Sequence, residues 1–448
     1  MYIKLISPRM SLRPMDSEYK RLMSPSLSLL TLAALTPSGH KVIIQDANIE
    51  KIDFHDNPNL VGITVNVDTA KRAFAIAKNF QEKGSKVIAG GIYVSTNPQE
   101  ALQHFDSICI GEAESVWSTI LNDFQNNKLR KVYHQTRALN LANVPLPAWN
   151  LIKSKHYLYT NIIATSRGCP FKCDFCYNSS EYMQKPFRNR PITNVIAEIK
   201  QLKTKQVMFI DDNFIGNPSW TRDFLLQLKE LNLTWHTAVS ANLVNNLPLL
   251  DLMKESGCTS LFIGFESINP DSINSVQKRQ NQISQYDKLI AEIHKREIMI
   301  NASLVFGFDH DQPDVFKNTL DWLVNHKIET MTAHILTPYP GTKLYQKLLE
   351  EQRIIDFDTN HYNTAHVVFQ PKQLTPQELF EGYLWIYRKF YSFRNILRRI
   401  PQAPRQKIPY LAFNLGYRKF GKITSLVGKL GFMSLIGKFG RRLAYNIE

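Results

Sequence analysis

Apolar residues in the first 130 positions fall into short β-rich runs separated by longer stretches with helical spacing. The runs YIKLIS (2–7), KVIIQDA (41–47), LVGIT (60–64), KVIAGG (86–91) and SICIG (107–111) have the length and branched content of buried strands. Between them, PSLSLLTLAALTP, DTAKRAFAIAKNFQEKG, NPQEALQHF and EAESVWSTILNDF repeat their apolar residues at helical intervals. This alternation predicts an α/β fold with a doubly wound, Rossmann-like parallel sheet over residues 1–135. Several runs end in Gly or Thr, at the strand ends where such a sheet binds its ligand. The residues there are Thr64, Gly90, Gly91, Gly111 and Glu112.

Residues 131–158 show no strong periodicity, and the Pro-punctuated VPLPAW (144–149) marks an inter-domain linker over 136–158. A second strand–helix series then begins. Its candidate strands are TNIIATS (160–166), QVMFI (206–210), TWHTAV (234–239), TSLFIG (259–264), IMINASLVF (298–306) and MTAHILT (331–337). Six such units suggest an open, partial (β/α)6 barrel over 159–345 rather than a second doubly wound sheet. Residues 346–448 read as a helical region with a basic tail. Thr375-Pro376-Gln377-Glu378 is a helix start with a capping box, and the helix is expected to run to about Arg399, stopped by Pro401 and Pro404.

The length of 448 residues fits two or three domains, and the hydrophobic content of 44% is ample for their cores. No apolar run is long enough to cross a bilayer, and the N-terminus lacks the features of a signal peptide, so the expected compartment is the cytoplasm. The net charge of +15 is uneven: residues 388–448 hold 14 Lys and Arg against one acidic residue, leaving +2 for the rest. That tail mixes cations with aromatic and aliphatic residues. It reads either as an amphipathic surface drawn to anionic lipid at the inner membrane face or as a solvated basic appendage packed partly on the barrel. No nucleic-acid module accompanies the charge, so no nucleic-acid partner is expected.

Five cysteines are too few for a disulfide framework in a chain of this length. Cys109 and Cys258 lie in or beside apolar runs and read as small buried hydrophobes. The other three form Gly168-Cys169-Pro170-Phe171-Lys172-Cys173-Asp174-Phe175-Cys176, a C-x3-C-x2-C loop directly after a predicted strand. Three thiolates on one loop can ligate three irons of a [4Fe-4S] cubane and leave the fourth iron open to the amino and carboxylate groups of S-adenosylmethionine (SAM). A zinc site or an electron-transfer cluster is the alternative, but either wants a fourth ligand, and none lies close in sequence.

With this loop the chain resembles the radical SAM superfamily, whose hallmark is C-x3-C-x-aromatic-C. The resemblance implies that Cys169, Cys173 and Cys176 hold the cluster and that the backbone of Phe175, at the aromatic position, contacts the adenine of SAM. In FIDDNF (209–214), Asp211, Asp212 and Asn213 stand where the superfamily holds the SAM amino group, often with Gly-Gly-Glu. Only the location carries over, and Asn213 serves equally as a cap for the following helix. Ser240 and Asn242 in AVSANL, and Glu266 in GFES, correspond to ribose or amino-acid contacts. The glycine of VFGFDHD (305–311) would allow close approach to the adenine, while TPYPGTKLY (337–345) is physically sufficient as a turn.

The order of these phrases resembles radical SAM enzymes with an N-terminal cobalamin-binding domain, similar to the methylases of hopanoid and bacteriochlorophyll biosynthesis. The best-known cobalamin domains carry Asp-x-His-x-x-Gly; the matching place here is Asp46-Ala47-Asn48-Ile49-Glu50-Lys51, without the His or the Gly. The domain is therefore expected either to bind cobalamin without a histidine ligand or to be a Rossmann-like scaffold that has lost it. The resemblance implies cobalamin-dependent methyl transfer from SAM to an unactivated carbon of a small-molecule or lipid-like substrate, with flavodoxin or ferredoxin as electron donor. A rearrangement, cyclisation or oxidation without methyl transfer is the enzymatic alternative. A non-catalytic membrane-associated binding protein is the alternative of another class.

Overall fold

The computed structural model describes residues 1–16, 18–180, 186–202 and 204–417. Strands β1 (Tyr2–Ser7), β2 (Lys41–Asp46), β3 (Leu60–Thr64), β4 (Lys86–Gly90), β5 (Ser107–Ile110) and β6 (Val132–His134) form one parallel sheet in the order β2-β1-β3-β4-β5-β6. Helices α1 (Leu27–Leu35) and α5 (Trp117–Gln125) cover one face, where Leu29, Ala33, Trp117 and Ile120 pack on Ile3, Leu60 and Ile88. Helices α2 (Ala70–Glu82), α3 (Ile92–Thr96) and α4 (Pro98–His104) belong to the other core, where Ala73, Phe80, Val94 and Ala101 meet Ile6, Val61 and Val87. Strand order reverses between β1 and β3, the crevice at which sheets of this order bind ligands. Strand β6 lies within the stretch that showed no periodicity. It is three residues long with only Tyr133 buried, too short to write an alternating pattern.

The second sheet begins with β7 (Ile162–Ile163). A two-residue antiparallel pair, β8 (Ser166–Arg167) and β9 (Arg188–Asn189), brackets the cysteine loop. Strands β10 (Gln206–Phe209), β11 (Thr234–Ser240), β12 (Cys258–Glu266), β13 (Met299–Phe306) and β14 (Thr330–Ile335) complete a parallel sheet in chain order, β7-β10-β11-β12-β13-β14. The two terminal strands do not pair with each other, so the sheet does not close. Helices α6 (Ile192–Gln201), α7 (Pro218–Lys229), α8 (Leu247–Glu255), α9 (Pro270–Ser275), α10 (Tyr286–Lys295), α11 (Val315–Asn325) and α12 (Lys343–Glu350) alternate with the strands. Residues along β14 alternate accordingly: Met331, Ala333 and Ile335 are buried, while Thr330, Thr332 and His334 are half-buried.

Two expectations are corrected. The first barrel strand was expected over 160–166, but its ladder spans only Ile162–Ile163. The amides of Thr165 and Ser166 donate instead to Oδ1 of Asp211, at 2.9 and 2.5 Å, so a side chain takes bonds that a strand would have given its neighbour. The C-terminal helix α13 (Pro376–Phe390) starts with the expected box: Glu378 N donates to Thr375 Oγ1 at 3.2 Å and Thr375 N to Glu378 Oε2 at 2.8 Å. It ends at Phe390 rather than near Arg399, because Ser392 caps a new helix, α14 (Phe393–Arg398). Pro404 then opens α15 (Pro404–Tyr417) instead of stopping a helix, as a proline in the first turn can.

Arg399 shows that part of the basic region is structural. Its side chain is fully buried and donates to the carbonyls of Ile328 (2.7 Å), Glu329 (2.9 Å) and Phe390 (2.8 Å) while stacking over the Phe390 ring. It ties the helices to the turn before β14. The remainder of the tail, 418–448, lies outside the described residues. No helix among the described residues is long and apolar enough to cross a membrane.

Candidate active site

The cysteine loop leaves β8 through Gly168, whose φ of +85° lies in the left-handed region that favours glycine. Backbone bonds then pin it from two sides. Asp174 N donates to Val276 O and Leu344 N to Asp174 O, both at 3.1 Å. Ser179 Oγ bonds the carbonyls of Cys173 and Cys176, at 2.8 and 2.7 Å. Cys173 is buried and Cys169 and Cys176 are half-buried, all three free thiols. Gln280 Nε2 reaches Cys173 Sγ at 3.4 Å. Burial pushes the Cys176 thiol up to about 12, with Cys173, Asp212 and Cys169 adding to the rise, so the three sulfurs lie within electrostatic reach of one another. Binding a soft cation as thiolates therefore releases protons.

Among the described residues, no three His, Cys, Asp or Glu side chains converge on a single metal ion. Three thiols on one loop, with no fourth Cys or His close in sequence, suit a cubane with one open iron better than a four-ligand structural zinc.

Each side chain named at the barrel strand ends has a fixed place. Asp211 is buried, and its Oδ1 accepts from the amides and hydroxyls of both Thr165 and Ser166. Burial pushes its carboxyl up to about 6 against those bonds. It thus braces the strand that carries the cysteine loop, while its other oxygen, Oδ2, is buried without a partner. Asp212 is exposed and accepts from Tyr177 Oη at 3.1 Å. Asn213 is buried and accepts from Ser240 N (3.3 Å) and Ser240 Oγ (3.4 Å). Ser240 Oγ also meets Asn242 Oδ1 at 2.5 Å. Asn213 therefore joins β10 to β11, and the cap of α7 is Asn217, which accepts from Trp220 N.

Glu266 adopts φ +62° at the irregular end of β12 and forms a buried ion pair with Lys278, Oε1 to Nζ 2.6 Å. Gly264 makes room for it: a Cβ there would lie 2.6 Å from Glu266 Oε1 and 3.1 Å from Lys278 Nζ. Burial works against the Lys278 charge, but Glu266 and Cys173 outweigh it and hold its pKa above the ordinary lysine value. The same ammonium lies 5.9 Å from the centre of the Phe175 ring, which also meets Phe308 edge-on at 6.4 Å. Lys278 was not picked out from the sequence, where it sits in QKRQ beside an exposed Arg279 and reads as one more solvated cation.

The glycine of VFGFDHD also has a packing role. Gly307 has φ +105°, and a Cβ there would meet Leu379 Cδ2 of α13 at 2.8 Å. Asp311 closes that turn by accepting from the amides of Gly307 and Phe308. The next phrase is a turn, with Thr342 capping α12.

At the end of the first sheet lies a cavity of about 590 Å³. Thr64, Gly90, Gly91, Gly111 and Glu112 all line it, together with Leu5, Cys109 and α1. Its far wall comes from the second domain: Ala164, Arg167 and Tyr177, the last two flanking the cysteine loop. A Cβ on Gly91 (φ +109°) would lie 2.7 Å from the Val65 carbonyl oxygen, and one on Gly111 2.7 Å from Gln135.

Glu112, on the cavity wall, is also held in a network. Arg188 binds both its oxygens (2.8 and 3.0 Å), Arg167 binds Oε1 (3.1 Å), and Gln135 Nε2 donates at 2.7 Å. Arg167 also pairs with Glu114 at 2.5 Å. Burial opposes ionisation of Glu112, but the two arginines hold its carboxyl at about 2. This network clamps the strand entering the cysteine loop to the first domain. The Asp46 loop is closed on itself: Asp46 Oδ1 accepts from Asn48 N (2.9 Å) and Nδ2 (2.7 Å), and Asn48 Oδ1 from Met10 N (3.0 Å).

Two parallel sheets, a three-thiol loop at the second and a shared cavity at the first together define the class. The pattern of the radical SAM superfamily matches residues 163–323, and a domain of unknown function, DUF4070, matches 342–414. Bacteriochlorophyllide d C-12(1)-methyltransferase of Chlorobaculum tepidum is 31% identical over 365 residues, 79% of each chain. The C-8(2)-methyltransferase of the same organism is 28% identical over 90% of this chain and 93% of its own. Among solved structures, TsrM from Kitasatospora setae, with cobalamin and a [4Fe-4S] cluster bound, superposes with a TM-score of 0.65 at 16% identity over 86% of this chain and 88% of its own. OxsB with aqua-cobalamin gives 0.69 at 16% identity over 95% and 72%. The chain belongs to the radical SAM superfamily and, within it, to the methyltransferase family of these bacteriochlorophyllide enzymes. It is an enzyme whose family works with a [4Fe-4S] cluster and SAM.

Proposed function

We propose that this chain methylates an unactivated carbon of an apolar, ring-built substrate, using cobalamin held at the end of the first sheet. The observation that carries the reading is the shared cavity, with Gly90, Gly91 and Cys109 on one wall and Arg167 and Tyr177 on the other. Glycines at strand ends let a large flat cofactor approach the backbone. The Asp46 loop carries no imidazole, so the residues that would hold a corrin are the strand-end glycines and apolar residues of the cavity. The second sheet fits the open, partial barrel of the superfamily, with Cys169, Cys173 and Cys176 holding the cluster. A bound cluster supplies the electron that splits SAM, and a bound corrin carries the methyl group.

The chain's own part is positioning. Asp211 fixes the strand below the cysteine loop, and Glu112 with Arg167 fixes that strand against the first domain. Asp212, Asn213, Ser240, Asn242 and Glu266, ranged along the strand ends, are our SAM contacts, with the backbone of Phe175 toward the adenine. The ring-built substrate class rests on relatives named for bacteriochlorophyllide d and for hopanoid methylation. Flavodoxin or ferredoxin would deliver the electron. A peripheral membrane contact is proposed for α14 and α15, where Phe393, Leu397 and Ile408 are 54, 66 and 72% exposed beside Arg394, Arg398 and Lys407.

Anaerobic reconstitution with cobalamin and methyl-labelled SAM tests the proposal. Retained corrin and labelled product are expected; 5′-deoxyadenosine formed without corrin retention contradicts it.

A further inference from the structure

Asp174, between Cys173 and Cys176, is also a wall of a second cavity, of about 210 Å³, separate from the one the two domains share. Its floor is apolar, built from Phe308, Leu336, Leu344, Leu348 and Phe369. Two short routes lead from it to the cluster thiols. Asp174 is joined to Cys173 through the chain, and its backbone is pinned to Val276 and Leu344, which also line the cavity. Phe308 meets the Phe175 ring edge-on at 6.4 Å, and Phe175 is joined to Cys176.

Cations crowd the rim. Lys347 Nζ (2.9 Å), Arg353 Nη2 (2.8 Å) and Lys372 Nζ (3.4 Å) converge on Asp309, and Lys343 Nζ stands 3.8 Å from Asp174 Oδ1. Glu351 also holds Arg353, at 2.7 Å. The carboxylates lie beneath the ammonium groups. The side chains of Asp174 and Asp309 are 17 and 16% exposed, those of Lys343, Lys347 and Lys372 61, 45 and 48%. Lys172, beside Cys173, is exposed as well. An approaching protein therefore meets positive charge first and an apolar hollow behind it, and such a surface steers and orients an acidic partner.

In the proposed reaction the electron that splits SAM comes from a separate carrier. We propose that this cavity and its lysine rim are the face on which the carrier docks, and that the carrier is an acidic flavodoxin. A flavodoxin presents the apolar edge of its flavin within an acidic surface, which suits an apolar hollow ringed by lysines. A ferredoxin covers its cluster with a loop and has no such edge to seat. One electron passes from the fully reduced, anionic flavin to the cluster, whose charge becomes one unit more negative; the flavin is left neutral, no proton moves and no bond forms. The inference rests on a cluster held by Cys169, Cys173 and Cys176, and on no methyl transfer.

Oxidised flavodoxin is titrated by calorimetry into the full chain carrying its cluster, at low salt. Lys343→Gln/Lys372→Gln is compared with Lys78→Gln/Lys229→Gln, which removes two exposed lysines of α2 and α7. We expect saturable binding that weakens as salt rises from about 0.05 to about 0.3 M. The affinity should be roughly tenfold lower in the rim variant and unchanged in the control. SAM cleavage driven by titanium(III) citrate, a small reductant that needs no docking, should match wild type in both. Equal flavodoxin affinity in wild type and rim variant, no binding to the wild type, or parallel loss of titanium-driven cleavage would each overturn the proposal. So would a ferredoxin that binds as tightly with the same dependence on Lys343 and Lys372. None of these readouts involves corrin or methyl transfer, so this docking face and the methylation reading can fail separately.

Discussion

Around the cysteine loop the polar side chains at the strand ends are tied to one another, whereas the cavity at the end of the first sheet sets glycines and apolar strand ends against the Glu112–Arg167 clamp. Asp211, Asn213, Ser240 and the Glu266–Lys278 pair are all hydrogen-bonded to neighbouring strands or loops. Across the clamp formed by Glu112 and Arg167, Gly62, Gly90 and Gly91 line the cavity, and a Cβ on Gly62 or Gly91 would press on Leu5 Cδ2 or the Val65 carbonyl of the same domain. One region holds donor atoms in place, and the other keeps a volume open. Cluster and SAM chemistry depends on aimed polar atoms, while a large flat cofactor needs room and backbone contact.

The difference can be broken from either side. Replacing any one of Cys169, Cys173 and Cys176 by Ala should reduce iron per chain and SAM cleavage to background while corrin retention persists. Iron assay and corrin absorbance after gel filtration check both halves. Lys278→Met leaves the Glu266 carboxylate buried without its counterion and should cost about 3–5 kcal/mol in denaturant unfolding. Adding Glu266→Gln should recover most of that loss, which identifies the uncompensated charge as its source.

Glu112 tests the clamp through pH. Its carboxyl is held near 2 in the folded protein, below its ordinary value of 4.5. Its contribution is therefore fully present above the ordinary value and is lost as pH falls toward 2. A depression of that size corresponds to roughly 3 kcal/mol at neutral pH. Glu112→Gln should remove that amount at pH 7, and its unfolding curve should converge on wild type in acid. Gly91→Ala, forced against the Val65 carbonyl at positive φ, should cost about 1–3 kcal/mol and weaken corrin retention with the iron content intact.

Much of this was legible in the sequence because it is written in local pattern. The three cysteines sit on one loop, and apolar periodicity marks eleven strands and the box at Thr375. What stayed hidden depends on distant partners. Asp211 takes the amides of Thr165 and Ser166, 46 and 45 residues away, and so cuts short the first barrel strand. Arg167 and Arg188 reach back to Glu112 over 55 and 76 residues, making a residue of the cavity wall part of a domain clamp as well. Lys278 looks like a surface cation until the fold buries it against Glu266. Ser392 carries a capping signal of its own, but a continuous helical pattern around it masked the break.

The central claim is that the cavity of the first sheet and the cysteine loop of the second form one active site. Pulsed electron paramagnetic resonance on protein carrying a reduced cluster and a cobalt(II) corrin measures it most directly. The account predicts retained corrin and a resolved dipolar coupling between the two centres that disappears in Cys173→Ala. A retained corrin with no coupling to the cluster would contradict it.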